Sequence, residues 1–266
     1  MLSRLFLIVW CALAASSATA HEFWIDAETY QVPAGGQLVA NLKNGQIFEG
    51  TTLSYIPRNF SRFDVIQGDT IRPVEARMGD RPALNVPAPM DGLVAVVHET
   101  TPSFVNYKEW EKFQTFADHK DFPDIAARHA ANGFPPVPFR ERYTRHVKAL
   151  IGVGSGAGND RAVGLKTEFV AITNPYAPDF DGQMQVQVLF QGQPRADAQV
   201  EVFERPPSGE VDVTLHRTDD KGFATITVKP GHAYLFDAVK LEPILNDDGA
   251  VWDTFWAALT FAVPAR

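Results

Sequence analysis

The chain has 266 residues, 45% of them apolar, and a formal net charge of −8. That acidic balance argues against nucleic acid as a partner, because a phosphate backbone is met by a basic surface. Cys11 is the one cysteine of the chain, which excludes thiolate-rich zinc sites and a disulfide framework.

Residues 1–20 read as a secretory leader. Arg4 gives the positive start, residues 5–15 form a short apolar run, and Ala18-Thr19-Ala20 is a small-x-small cleavage site. The run is too short to span a bilayer, and bulky Trp10 before Cys11 speaks against a lipoprotein. The expectation is therefore export to the periplasm, a cut after Ala20, and a mature chain that does not span the membrane. The cut removes Arg4 and no acid, taking the charge from −8 to −9. It also removes Cys11, so the exported chain must be held by its core alone.

Short strand-like runs follow with turn residues between them, as in QLVANL (37–42), TLSYI (52–56) and GLVAVVHET (92–100). This spacing predicts a β-sandwich. Residues 107–131 break the pattern: Trp110, Phe113, Phe116 and Ala117 recur at helical spacing, which predicts a short helical insertion interrupted near Pro123. Such a segment either packs on a sheet edge or covers a site as a lid. Residues 141–154 read as a long strand running into the glycine-rich GVGSGAGND. No amphipathic helix follows it to receive a pyrophosphate, so it reads as a linker and not a nucleotide loop.

From Gly164 the period-two signal is cleaner. In GQMQVQVLF, Met184, Val186 and Val188 alternate with glutamines, the pattern of a strand buried on one face. AQVEVFE, VDVTLHR, FATITV, AYLFDAVKLE and TFWAALTFAV continue the series, with Asp219–Gly222 expected as a hairpin turn. The prediction is an all-β chain of two β-sandwich domains: 21–163, with its helical insertion near 107–131, and 164–266.

A cut after Ala20 would leave His21 as the first residue. Its free α-amine and imidazole Nδ1 can close a six-membered chelate ring around one metal ion, which no internal residue can do. Nitrogen donors in tetragonal geometry suit Cu(II) or Ni(II). A second histidine would complete a three-nitrogen site, and it should come from a neighbouring strand end in the first domain. His98, closing the apolar run LVAVV beside Glu99, is the first candidate, and His146, on the strand 141–154, the second. His119 and His129 fall on the helical segment, and His216 and His232 read as surface residues of the second domain.

Five stretches together resemble the unknown-function domain family numbered 4198: HEFWI after the leader, RYTRHVKALI (142–151), RTDDKGFA (217–224), AVKLEP (238–243) and WDTFWAALTF (252–261). The resemblance covers nearly the whole mature chain. It implies a periplasmic protein associated with nickel or cobalt uptake, a transthyretin-like or Ig-like second sandwich, and metal binding at His21. Lys240 stands near a position where the family is expected to carry histidine, which leaves a multi-histidine site in the second domain without support. The expected function is thus a periplasmic transition-metal-binding protein for nickel, cobalt or copper, without catalysis, serving an inner-membrane metal transporter. Two alternatives stand beside it. A copper-dependent oxidase or polysaccharide monooxygenase would use the same N-terminal chelate to activate oxygen. An envelope binding module would bind no metal at all.

Overall fold

The computed structural model describes residues 21–246 and 249–265; the expected leader, its expected cleavage site and Cys11 lie outside the described residues. The first half runs through β1 (Glu22–Ala27), β2 (Gln31–Val32), β3 (Gln37–Gln46), β4 (Glu49–Leu53), β5 (Phe60–Gln67), β6 (Thr70–Pro73), β7 (Leu84–Pro87), β8 (Gly92–Thr100) and β9 (Ser103–Tyr107). Two helices follow, α1 (Trp110–His119) and α2 (Ile125–Ala131), and then the long β10 (Phe139–Val153). The second half contains β11 (Thr167–Ala171), β12 (Gln183–Phe190), β13 (Gln193–Pro194), β14 (Gln199–Arg205), β15 (Asp212–Arg217), β16 (Phe223–Thr227), β17 (Ala233–Pro243) and β18 (Trp252–Ala262). The fold is all-β with a helical insertion, as the sequence predicts.

Among the described residues the strands form three sheets. β1, β3, β4 and β7 make one, β11, β12, β13 and β16 another, and a ten-stranded sheet runs in the order β15-β14-β17-β18-β10-β8-β5-β6, with β2 and β9 also paired to β10. The large sheet draws on both halves of the sequence. Its join is the parallel pairing of β10 with β18, in register from Glu141 opposite Trp252 to Ala149 opposite Thr260. One apolar core follows the join, taking in Ile25, Leu38 and Val147 from the first half and Val186, Phe236 and Leu259 from the second. The Thr260 hydroxyl adds a 2.6 Å hydrogen bond to the carbonyl of Ile25, tying β18 to β1.

Local pattern explains which strands are central. β12 alternates as read, with Met184, Val186 and Val188 buried and the glutamines facing out. β10 and β18 are covered on both faces and are nearly continuously buried. Along β18, Trp252 and Trp256 join the helices, whereas Ala257, Leu259 and Phe261 join the main core, the two-sided alternation of a sandwiched strand. The helices bury Phe113, Phe116, Ala117 and Ile125 against Val239, Leu241 and these two tryptophans. Full burial of side chains this large contributes about 1.5–3 kcal/mol each.

The Asp219–Gly222 turn differs from the expected hairpin. The Asp219 carboxylate accepts from the amides of Lys221 and Phe223, a tight local turn of the kind aspartate favours. The strands on either side belong to different sheets, however: β15 pairs with β14, and β16 pairs with β12. The turn carries the chain across the sandwich because the buried face of β16, Ala224 and Ile226, is needed against β12 and not against the exposed β15.

Candidate functional site

His21 is exposed and stands directly before β1, so its backbone is held by the strand that follows. Glu22 turns inward, and its carboxylate meets the Lys120 ammonium at 3.5 Å. Lys120 closes α1 as its C-cap residue and reaches two further carboxylates, Glu201 of β14 at 2.5 Å and Asp237 of β17 at 3.1 Å. All four groups are buried. Burial works to lower the Lys120 pKa, but the carboxylates of Asp237, Glu201 and Glu22 outweigh it and raise it. One cation cannot hold three buried carboxylates ionised on equal terms. Burial pushes Glu22 up to about 7 against the pull of Lys120, and raises Glu201 as well.

Beside this cluster lies a cavity of about 490 Å³ with His21 in its lining. Its walls come from β9, the start of α1, β10 and β18. Glu141, Tyr143 and Arg145 line it from one face of β10, each two residues from the next. Trp256, the β18 residue opposite Arg145, lines it too. The Arg145 guanidinium lies 3.9 Å over the Trp256 ring and 5.2 Å from that of Tyr143. Phe116 stacks near-parallel to the same indole at 5.9 Å, and the Lys120 ammonium stands 4.8 Å from it. Burial lowers the Arg145 pKa and pushes Glu141 up to about 7.

The two histidines expected to complete a metal site are placed elsewhere. His98 is not at a sheet rim: it is fully buried opposite Phe63, stacked on Phe23 at 5.5 Å and met edge-on by Phe60 at 4.5 Å and Phe63 at 5.1 Å. Burial pushes its pKa down to about 3, with only the Arg62 backbone opposing. His146 is also buried, its Nδ1 3.3 Å from the Trp256 carbonyl and its Nε2 3.9 Å from Glu99, and burial pushes it down to about 4. Neither lines the cavity that His21 lines. Among the described residues, no group of three or more His, Cys, Asp or Glu side chains is arranged to hold a metal ion. His129 has a packing role: its Nε2 bonds the Pro135 carbonyl at 2.8 Å while Nδ1 accepts from the Trp252 indole at 3.0 Å.

Sequence reasoning missed Lys120, Glu141, Arg145 and Trp256. The one local signal was in β10, where Glu141 and Arg145 fall on the same face as the apolar Val147, Ala149 and Ile151, two charges that burial makes costly unless they serve a purpose.

These observations define an all-β protein in which His21, directly before the first strand, borders a cavity backed by a buried charge cluster. The chain belongs to the family described as "Domain of unknown function (DUF4198)", which it matches over residues 18–241. It is also similar to a solved structure, "Crystal structure of tetra-tandem repeat in extending region of large adhesion protein", at 11% identity and a TM-score of 0.20. That likeness covers 91% of this chain and 49% of the other, so the chain spans about half the length of that protein. Curated proteins gave no match.

Proposed function

We propose that this is an exported, periplasmic binding protein that captures a divalent transition metal, nickel, cobalt or copper, through the α-amine and imidazole of a processed His21. It would then pass the metal to an inner-membrane transporter. The observation that carries the reading is the placement of His21: exposed, at the lining of the cavity, and held in place by Glu22 on Lys120 and by Phe23 on His98. A chelate on a frayed tail would lose ordering entropy on binding, whereas one on an anchored strand has little left to lose. The chelate supplies two nitrogens, and the remaining coordination positions open toward the cavity or solvent and not toward His98 or His146.

A copper-dependent oxidase is the second reading, favoured by the aromatic side chains of Tyr107, Tyr143 and Trp256 in the same cavity. A cavity of about 490 Å³ suits a small substrate better than a polysaccharide chain.

The test is calorimetric titration of Cu(II) and Ni(II) into protein that begins at His21 and into a version with one alanine ahead of it. The extension blocks the chelate ring and leaves every side chain in place. The expected result is a loss of at least about tenfold in affinity, or ~1.4 kcal/mol. Equal affinities would remove His21 as the metal anchor. Ascorbate-dependent oxygen consumption by the copper-loaded protein would favour the second reading.

A further inference from the structure

Arg145 is a buried cation whose guanidinium rests on the rings of Trp256 and Tyr143. No N–H of its side chain donates to a protein acceptor among the described residues, and its Nη1 is fully enclosed. Asp237, Glu141 and Glu22 act on it only through space, with none in an ion pair. The Trp256 indole N–H beneath it is likewise buried and without an acceptor. Leaving such a donor unmade is costly, and more so when it is charged. The two residues line one cavity, on neighbouring strands in direct register, and the Arg145 N–H groups open to it are those of Nε and Nη2, which are not enclosed as Nη1 is.

The surroundings select the missing acceptor. Among the described residues lining the cavity, Lys108, Lys112 and Arg145 are cationic against the carboxylates of Glu109 and Glu141, in a chain whose formal charge is −8. Lys112 and Glu109 neutralise each other at 2.8 Å. Of the three acids that act on Arg145, Glu141 is the one that lines the cavity, and at neutral pH its burial leaves it partly protonated, so it competes weakly for the guanidinium there. The rest of the wall is apolar or aromatic, with Tyr107, Phe116 and Tyr143 beside Trp256. At about 490 Å³ the space is larger than a bare ion or acetate needs and falls in the range of small organic ligands.

We propose that this cavity binds a small organic acid, its carboxylate held by the Arg145 guanidinium and its apolar body lying against Tyr107, Tyr143 and Phe116. A guanidinium fork matches a carboxylate in two parallel hydrogen bonds, and charge assistance makes these about twice as strong as neutral ones. The site is distinct from the His21 chelate and does not rest on it.

The test compares ligands on the unaltered protein, so no variant has to fold. 3-Phenylpropionate, benzoate and indole-3-acetate are titrated calorimetrically, each against its neutral amide. At least one carboxylate should bind at least about tenfold more tightly than its amide, and should shift the Trp256 indole N–H resonance, assigned with Trp256→Phe. Arg145→Met should bring acid and amide to equal affinity. The form with an alanine ahead of His21 should bind the carboxylate as the unextended form does, which separates this result from that of the metal titration. Failure of all three acids to bind at 10 mM, or equal affinity for acid and amide in the unaltered protein, would overturn the proposal.

Discussion

The Glu22 carboxylate and the Lys120 ammonium, 98 residues apart in sequence, meet in a buried contact of 3.5 Å. The residue next to His21 is thereby fixed to the end of the first helix. Because Lys120 also holds Glu201 and Asp237, strand β1, helix α1 and strands β14 and β17 converge on one ammonium group.

Removing that ammonium leaves buried carboxylates facing one another. Breaking a buried ion pair from one side costs about 3–5 kcal/mol, and Lys120→Met should lose that much in urea denaturation at pH 8. The direction with pH follows from Glu22. Its folded pKa of about 7 lies above its ordinary value of 4.5, so its contribution is fully present below 4.5 and is lost as pH rises through 7. Without Lys120 that loss deepens. The deficit of Lys120→Met should therefore be clearly smaller at pH 5 than at pH 8; an equal deficit at both would mean the carboxylates are not the cause.

His98 gives the opposite slope. Its folded pKa of about 3 lies below the ordinary 6.5, so its contribution is fully present above 6.5 and disappears as pH falls toward 3. A phenylalanine fits the aromatic enclosure of Phe23, Phe60 and Phe63 and has no proton to take up. His98→Phe should hold its stability better than the parent between pH 6 and pH 4, by about 2.5 kcal/mol over those two pH units on the scale of ~1.36 kcal/mol per unit. His146, pushed down to about 4, still weakens both proteins in acid. The same variant bears on the metal. With both His98 nitrogens enclosed, Cu(II) and Ni(II) affinity should stay within about twofold of the parent, where the sequence alone leads one to expect a large loss. A large loss in a folded His98→Phe would restore His98 as a ligand.

What the sequence disclosed was what neighbouring residues decide. Glutamine alternation marked β12, and the spacing of Trp110, Phe113 and Phe116 marked α1, because period and burial are written in adjacent positions. The parallel pairing of β10 with β18 was not legible. Both strands are buried on two faces, and burial of that kind carries no sign of which strand lies beside it. That gap hid the placement of Arg145 over Trp256, which exists only through this pairing. His98 was misplaced at a rim for a related reason: LVAVV continues its burial through His98, and the aromatic enclosure comes from β1 and β5. The Lys120 cluster draws single residues from four distant segments, none unusual on its own strand or helix.

The hairpin between β3 and β4 supplies a prediction in which the sign of the effect is the test. Gln46 pairs with Glu49, leaving Ile47 and Phe48 as a two-residue turn, both at positive φ, 50° and 57°. Such turns match the twist of the strands, but they favour asparagine and glycine at the central positions. A β-branched residue in the left-handed region is poorly accommodated, at about 1–2 kcal/mol. The two positions should respond in opposite directions. Phe48 is buried edge-on to Trp24 at 5.6 Å, with the Arg205 guanidinium 4.0 Å from its ring, so its packing offsets its strain. Ile47 is 54% exposed and has no such offset. Ile47→Asn should therefore stabilise the protein by about 1 kcal/mol in urea denaturation, whereas Phe48→Ala should cost about 3 kcal/mol or more. A destabilising Ile47→Asn would show that the exposed isoleucine is held by contacts the hairpin geometry does not reveal.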